Sequence, residues 1–128
     1  MGHLFESHIV MHELSMAEEM KKVVRSRAQG QRILSVDVSV GALSGVVKES
    51  LDFCGQAVFE EAFGPSVRFV SHWVPARALC DCGNEFELAG PFTPCPACQG
   101  YLRKLVGGKE VLINFIEVDD GNKNEQNH

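Results

Sequence analysis

Four of the chain's five cysteines fall within 19 positions, in CDCGNEFELAGPFTPCPAC at residues 80 to 98. No other feature limits the fold as strongly. About 20 residues with two phenylalanines cannot bury a core of their own, and a structural metal is the natural staple for such a module. Cys95-Pro96-Ala97-Cys98 has the two-residue gap of a zinc knuckle, whereas Cys80-Asp81-Cys82 has a gap of one. Zinc favours four thiolates in a tetrahedron, usually two from each of two tight turns. Pooling four around one cation makes their deprotonation favourable near neutral pH. The cluster therefore reads as a Zn²⁺ site on Cys80, Cys82, Cys95 and Cys98, with GNEFELAGPFTP forming a hairpin that turns at Gly90-Pro91.

Four protein ligands close the coordination sphere, so this zinc is expected to hold shape and do no chemistry. The short first arm removes or redirects one of the backbone amides that tune a knuckle's sulfurs, which predicts a weaker or more labile site than a full ribbon. A redox reading of Cys95–Cys98 is disfavoured, because the pair does not open a helix after a strand. Cys54, the fifth cysteine, lies on a helical stripe and reads as a core residue.

Compartment and partner class follow from the rest of the composition. The amino terminus, MGHLFESHIV, lacks a basic region followed by an apolar core, and no stretch reaches the roughly 18 apolar residues of a membrane span. A cytoplasmic protein with reduced thiols and no membrane partner is expected. Net charge is −5, and residues 77 to 110 balance four basic against four acidic side chains. Nucleic-acid binders are basic overall or carry a basic stripe, so no nucleic-acid partner is expected.

Periodicity supplies the framework. Leu14, Ala17, Met20, Val24 and Ala28 predict an amphipathic helix over 12–29, and Val47, Leu51, Cys54, Val58 and Ala62 predict another over 47–63. Phe53 and Phe59 widen the second helix's apolar surface, which predicts a well-covered helix. Leu34, Val36, Val38 and Val40 alternate with polar residues as a half-buried strand. Residues 66–74 alternate likewise, and EVLINFIEV at 110–118 is apolar enough for a central strand. The last two strands are expected to pair antiparallel, with the insert between them supplying the reversal. The fold class is α+β: two helices packed on a small, mostly antiparallel sheet, with an inserted four-cysteine, zinc-ribbon-like module. The expected organisation is 1–10, an extension or cloning remnant; 11–74 plus 108–119, an α+β domain; 75–107, the zinc-binding module; and 120–128, a mobile tail.

With the cysteines placed, MHELSMAEE at 11–19, GALSGVVKESLDF at 41–53, PARALCDCGNEF at 75–86, CPAC at 95–98 and GGKEVLINFIEVD at 107–119 together resemble the HypA/HybF family of hydrogenase nickel-incorporation proteins. The resemblance implies a non-enzymatic nickel metallochaperone. It would work with the nickel-loading GTPase of hydrogenase maturation to place Ni²⁺ in the large subunit of [NiFe] hydrogenase, and in some organisms with urease accessory proteins. Carried over by residue, transported nickel falls on Met11, His12 and Glu13, which makes residues 11–74 plus 108–119 the nickel-binding domain, and structural zinc falls on the four cysteines.

Imidazole and square-planar nitrogen ligation both suit Ni²⁺. Without the resemblance, His12 reads as a polar residue leading into a helix, and Glu13 as an acid favoured there by the helix dipole. Ten residues precede Met11, so the peptide bond from Val10 removes the free amine that the family pattern places on Met11. The extension adds His3 and His8 as substitute ligands or incidental residues. Two other classes compete: a zinc-ribbon nucleic-acid or transcription-associated protein, opposed by the charge balance, and a zinc hydrolase using Glu85 as base, opposed by four cysteines that leave no site for water.

Overall fold

A computed structural model describes residues 9–119, with side chains from His12 onward. The elements in chain order are α1 (Ile9–Ala28), β1 (Arg32–Gly41), α2 (Lys48–Phe63), β2 (Arg68–Val74), β3 (Arg77–Cys80), β4 (Glu85–Glu87), β5 (Arg103–Gly107) and β6 (Val111–Asp119). They form two three-stranded sheets, ordered β2-β1-β6 and β4-β3-β5. Three of the four strand pairings are antiparallel; β1 with β2 is the parallel one. His3, His8 and the tail 120–128 lie outside the described residues.

The expected pairing of residues 66–74 with 110–118 does not occur. Both strands flank β1 instead, β2 parallel and β6 antiparallel. The reason is the connection: α2 lies between β1 and β2, and a helical crossover returns the chain in the same direction as it left. β6 is consequently an edge strand. Its apolar run comes from two faces of unlike fate, with Leu112 and Phe115 about half exposed while Val111, Ile113, Ile116 and Val118 pack toward the core. A register shift at Asp37/Val38 places Asn114 as an extra residue in β6. Bulges of this kind re-aim a side chain, and here Asn114 donates to Asp37 Oδ1 at 2.9 Å and to Ser39 Oγ at 2.8 Å. His72 Nε2 sits 2.6 Å from the other Asp37 oxygen. The hydrogen bonds from Asn114 and then His72 hold the Asp37 carboxyl below its ordinary range.

Ala17, Met20, Val24 and Ala28 of α1 are buried against Val36, Val38 and Val40 of β1 and against Leu51, Val58 and Phe59 of α2. Leu14, the first residue of the predicted stripe, is instead 37% exposed, and the fully buried side chain beside it is Glu13. α2 is not covered on both aromatic sides. Phe59 is fully buried, edge-on to Phe69 at 5.4 Å, while Phe53 is 77% exposed. Six residues at about 100° each bring the two rings roughly 120° apart on the helix, so one helix face cannot bury both.

The second sheet grows from the end of the first. Gly41 N–H donates to Glu110 O, Leu43 N–H to Gly108 O and Ala42 N–H to Val74 O. Three chain segments thus cross where β1 ends, and Gly108 is the residue that lets them. Its φ is +84°, and a Cβ there would sit 2.6 Å from Pro75 O and 2.7 Å from Ala76 Cα. The backbone on the other side has no rotamer with which to yield. Gly108→Ala should therefore combine left-handed strain with overpacking, each about 1–3 kcal/mol. A drop of roughly 2–6 kcal/mol in urea unfolding is expected, read from the midpoint at unchanged slope.

Candidate metal centre

The tight turn joining β3 to β4 carries the first cysteine arm: Gly83 N–H donates to Cys80 O and Cys80 N–H to Asn84 O. The hairpin therefore turns at Asp81–Asn84, not at Gly90-Pro91 as expected. Gly90 belongs to a separate turn, closed by Thr93, inside the long segment between β4 and β5. Arg103 holds that segment by donating to Thr93 O and, at 3.0 Å, to Pro91 O. The second arm is fixed by Gln99 N–H on Cys95 O and Cys95 N–H on Gly100 O.

These two turns face each other. The four thiol sulfurs of Cys80, Cys82, Cys95 and Cys98 all lie within 4.8 Å of one another. Cys80 to Cys98 is 3.6 Å and Cys82 to Cys95 is 3.7 Å. A tetrahedron with metal–sulfur bonds of about 2.3 Å has edges of about 3.8 Å, and the Cys80–Cys98 and Cys82–Cys95 separations match that size. The one-residue gap of the first arm is accommodated without breaking this tetrahedron.

What the short arm changes is the donors around the sulfurs. In the second arm, Ala97 N–H points to Cys95 Sγ and Gly100 N–H to Cys98 Sγ, both at 3.3 Å. In the first, a backbone hydrogen bond from Asn84 favours the Cys82 thiolate, but burial and the Cys80 and Cys95 sulfurs outweigh it and raise the thiol, and among the described residues no backbone N–H reaches Cys80 Sγ. Asn84 also crosses the site, its Nδ2 lying 3.6 Å from Cys95 Sγ. Neither Asn84 nor Arg103 carries a sequence signal for this role; both act through contacts between distant turns.

The four thiols cannot all ionise beside one another. Burial raises Cys95, yet hydrogen bonds from the Cys98 and Ala97 backbone, Asn84 and Cys82 bring its pKa down to about 6. Cys98 moves oppositely, to about 12: Gly100 N–H favours its thiolate, but the neighbouring Cys80 and Cys82 sulfurs, burial and Cys95 outweigh it. One thiolate forms readily and the next resists, which is the electrostatic situation a divalent cation resolves. The residues present fit a tetrathiolate metal. Two of the cysteines, Cys80 and Cys95, are also half of the four-residue core of this sheet, with Ala78 and Phe86.

Met11, His12 and Glu13 lie in the first turns of α1, since the helix begins upstream at Ile9. Glu13 does not serve the dipole of its own helix. Its carboxylate is fully buried and accepts from Val47 N–H at 2.9 Å, at the start of α2, where Val47 has no side chain able to cap. The acid thus stabilises the positive end of the neighbouring helix. Its other oxygen, Oε1, is buried without a partner among the described residues. Cys54 is half-buried nearby; burial first and the Glu13 charge second raise its thiol. His12 is partly exposed, and the Met11 side chain lies outside the described residues. Among the described residues, no third His, Cys, Asp or Glu gathers with His12 and Glu13 as the four cysteines gather.

Fold and site together define a small α+β metal-binding protein with a four-thiol knuckle pair beside a two-helix, three-stranded body. A family model described as "Hydrogenase/urease nickel incorporation, metallochaperone, hypA" matches residues 11–118. The chain belongs to this family of nickel metallochaperones for hydrogenase and urease nickel incorporation. It is 37% identical over 110 residues to the hydrogenase maturation factor HypA of Geobacter metallireducens, covering 85% of this chain and 100% of the relative. The corresponding Geobacter sulfurreducens factor is 36% identical over 110 residues, with the same coverage. The solution structure of the Ni metallochaperone HypA from Helicobacter pylori shares the fold, with TM-score 0.58 and 18% identity over 83% of this chain and 96% of that one.

Proposed function

We propose that the chain carries Ni²⁺ on Met11, His12 and Glu13 and is held in shape by Zn²⁺ on Cys80, Cys82, Cys95 and Cys98. The observation that supports the zinc assignment is the gathering of four sulfurs within 4.8 Å of one another, with Cys80–Cys98 at 3.6 Å and Cys82–Cys95 at 3.7 Å. A bound zinc would supply charge neutralisation for four thiolates and no open coordination position, so the site does no hydrolysis. Residues 75–107 then form a metal-stapled module, and residues 11–74 with 108–119 form the nickel-handling body. On this reading the protein is a carrier without an enzymatic step. It works in the cytoplasm with the nickel-loading GTPase and the [NiFe] hydrogenase large subunit, and in some organisms with urease accessory proteins.

Nickel enters the mechanism as cargo. Met11, His12 and Glu13 lie in the first two turns of a helix that starts at Ile9. Square-planar ligation by successive backbone nitrogens needs extended rather than helical dihedrals. Loading at Met11–Glu13 therefore requires the first turn of α1 to open, while the buried Glu13 carboxylate anchors the segment on α2. His12 supplies the nickel-preferring imidazole.

Metal analysis tests the zinc half. One Zn²⁺ per chain is expected, with sulfur-only ligation at about 2.3 Å by X-ray absorption. A stoichiometry near zero, or oxygen in the first coordination shell, overturns it.

A further inference from the structure

α2 carries an aromatic side chain that the body does not use. Phe53 is 77% exposed in the middle of a 16-residue helix whose inward face already buries Leu51, Gly55, Val58 and Phe59. The helical repeat places Glu49 and Ala57 one turn to either side of Phe53, and Glu60 two turns on. All three are exposed. No lysine or arginine offsets this stripe among the described residues. Lys48, the one cation on α2, is turned to Asp52 at 3.0 Å, and Glu60 takes only the neutral Gln56 amide, at 2.8 Å.

An apolar ring with a small residue beside it and carboxylates around it, uncompensated, is complementary to one kind of surface. We propose that the outer face of α2 is a protein docking site for a partner presenting an apolar pocket rimmed by lysine or arginine. Phe53 enters the pocket, and Glu49 and Glu60 meet the rim. A second copy of this chain is a poor occupant, because the same face turned on itself would set carboxylate against carboxylate. The site's position suits delivery. α2 follows its N-cap Val47, whose N–H is held by Glu13, so opening of the Met11–Glu13 segment acts on the helix the partner would grip. This last point rests on the nickel-carrier reading above, and so does the choice of the maturation GTPase as occupant.

The test is a calorimetric titration of the purified nickel-loading GTPase into the full chain, its Phe53→Ser variant and its Glu60→Lys variant. Both positions are exposed, and a lysine at 60 lies near the helix carboxyl end where it is tolerated. Circular dichroism and bound metal should therefore be unchanged. Phe53→Ser is expected to weaken binding about tenfold to a hundredfold, the range for losing one desolvated aromatic anchor. Glu60→Lys should weaken it about threefold to tenfold and flatten its salt dependence. If the unaltered chain binds and both variants bind equally well, the α2 site is wrong while the GTPase partnership stands. Failure of the unaltered chain to bind removes the partnership and this occupant together. A Phe53→Ser effect confined to self-association in sedimentation would assign the face to a second copy and overturn the proposal.

Discussion

Cys95→Ala is expected to abolish metal retention and to strip the second sheet of protection, while the first sheet stays intact. The physical ground is the contrast between the two cores. The body buries residues from both helices and from β1 and β2, Phe59, Leu51, Val36 and Val38 among them. Among the described residues, the second sheet has only Ala78, Cys80, Phe86 and Cys95 as its buried core, with Leu88 packed alongside. Phe86 is the one large side chain in that set, worth about 1.5–3 kcal/mol when buried. Structural zinc contributes roughly 10–16 kcal/mol of apparent binding free energy in small zinc-finger peptides. A zinc bound there would therefore dominate the stability of residues 77–107.

Cys95 is the most consequential position to remove. It is fully buried, and its sulfur receives the Ala97 N–H and the Asn84 side chain. Hydrogen exchange should show residues 77–80, 85–87 and 103–107 opening as one local unit, with residues 34–40 unchanged. Loss of protection at 34–40 in step with the cysteine sheet would mean that the two cores unfold together, and the picture of a stapled module would fall.

The second large effect concerns nickel. A chain beginning at Met11 is expected to bind Ni²⁺ at least about tenfold more tightly than the full chain, a difference of about 1.4 kcal/mol. Two causes act in the same direction. The peptide bond from Val10 removes an amine donor at Met11, and the upstream residues place Met11 to Glu13 in helical backbone. Chelation by successive nitrogens must then undo that turn. In the shorter chain the amine is free and no preceding turn exists to undo.

His12→Ala should abolish nickel binding in the shorter chain, because the imidazole is the ligand without a substitute there. In the full chain, His3→Ala is the more damaging change if the extension has taken over, since Met1-Gly2-His3 also offers an amine, two amides and an imidazole in order. Calorimetry on the two lengths, each with and without its histidine, separates these outcomes. Equal affinity for both lengths together with a silent His12→Ala would place the nickel site elsewhere.

Much of the chain's local structure was legible because it is written in short-range pattern. Alternation at Val36, Val38 and Val40 places β1, and three- and four-residue spacing through Ala17, Met20, Val24 and Ala28 places α1. The cysteine spacing alone pointed to a four-thiol cluster, and the structure gathers those four sulfurs. Pattern fails where two sequence-remote segments settle an outcome. Pattern places Leu14 in the core and reads Glu13 as an acid serving the dipole of its own helix, yet Leu14 is 37% exposed and Glu13 is fully buried, because the α2 start needs an acceptor and Glu13 is the side chain within reach.

Spacing in the sequence determined which residues are helical, which alternate and which thiols can share a cation, since each depends on neighbours a few positions away. Only the tertiary structure decided that β1 is the central strand with β2 parallel to it, that Asn84 reaches across from the first thiol arm to Cys95 of the second, and that Phe53 faces outward while Phe59 is buried. Periodicity specifies that a helix or strand has an apolar face, whereas burial and hydrogen-bond partners depend on which other element comes to lie against it. That choice is made by chain connectivity and by the free energy of the whole packing, and no local window of residues contains it.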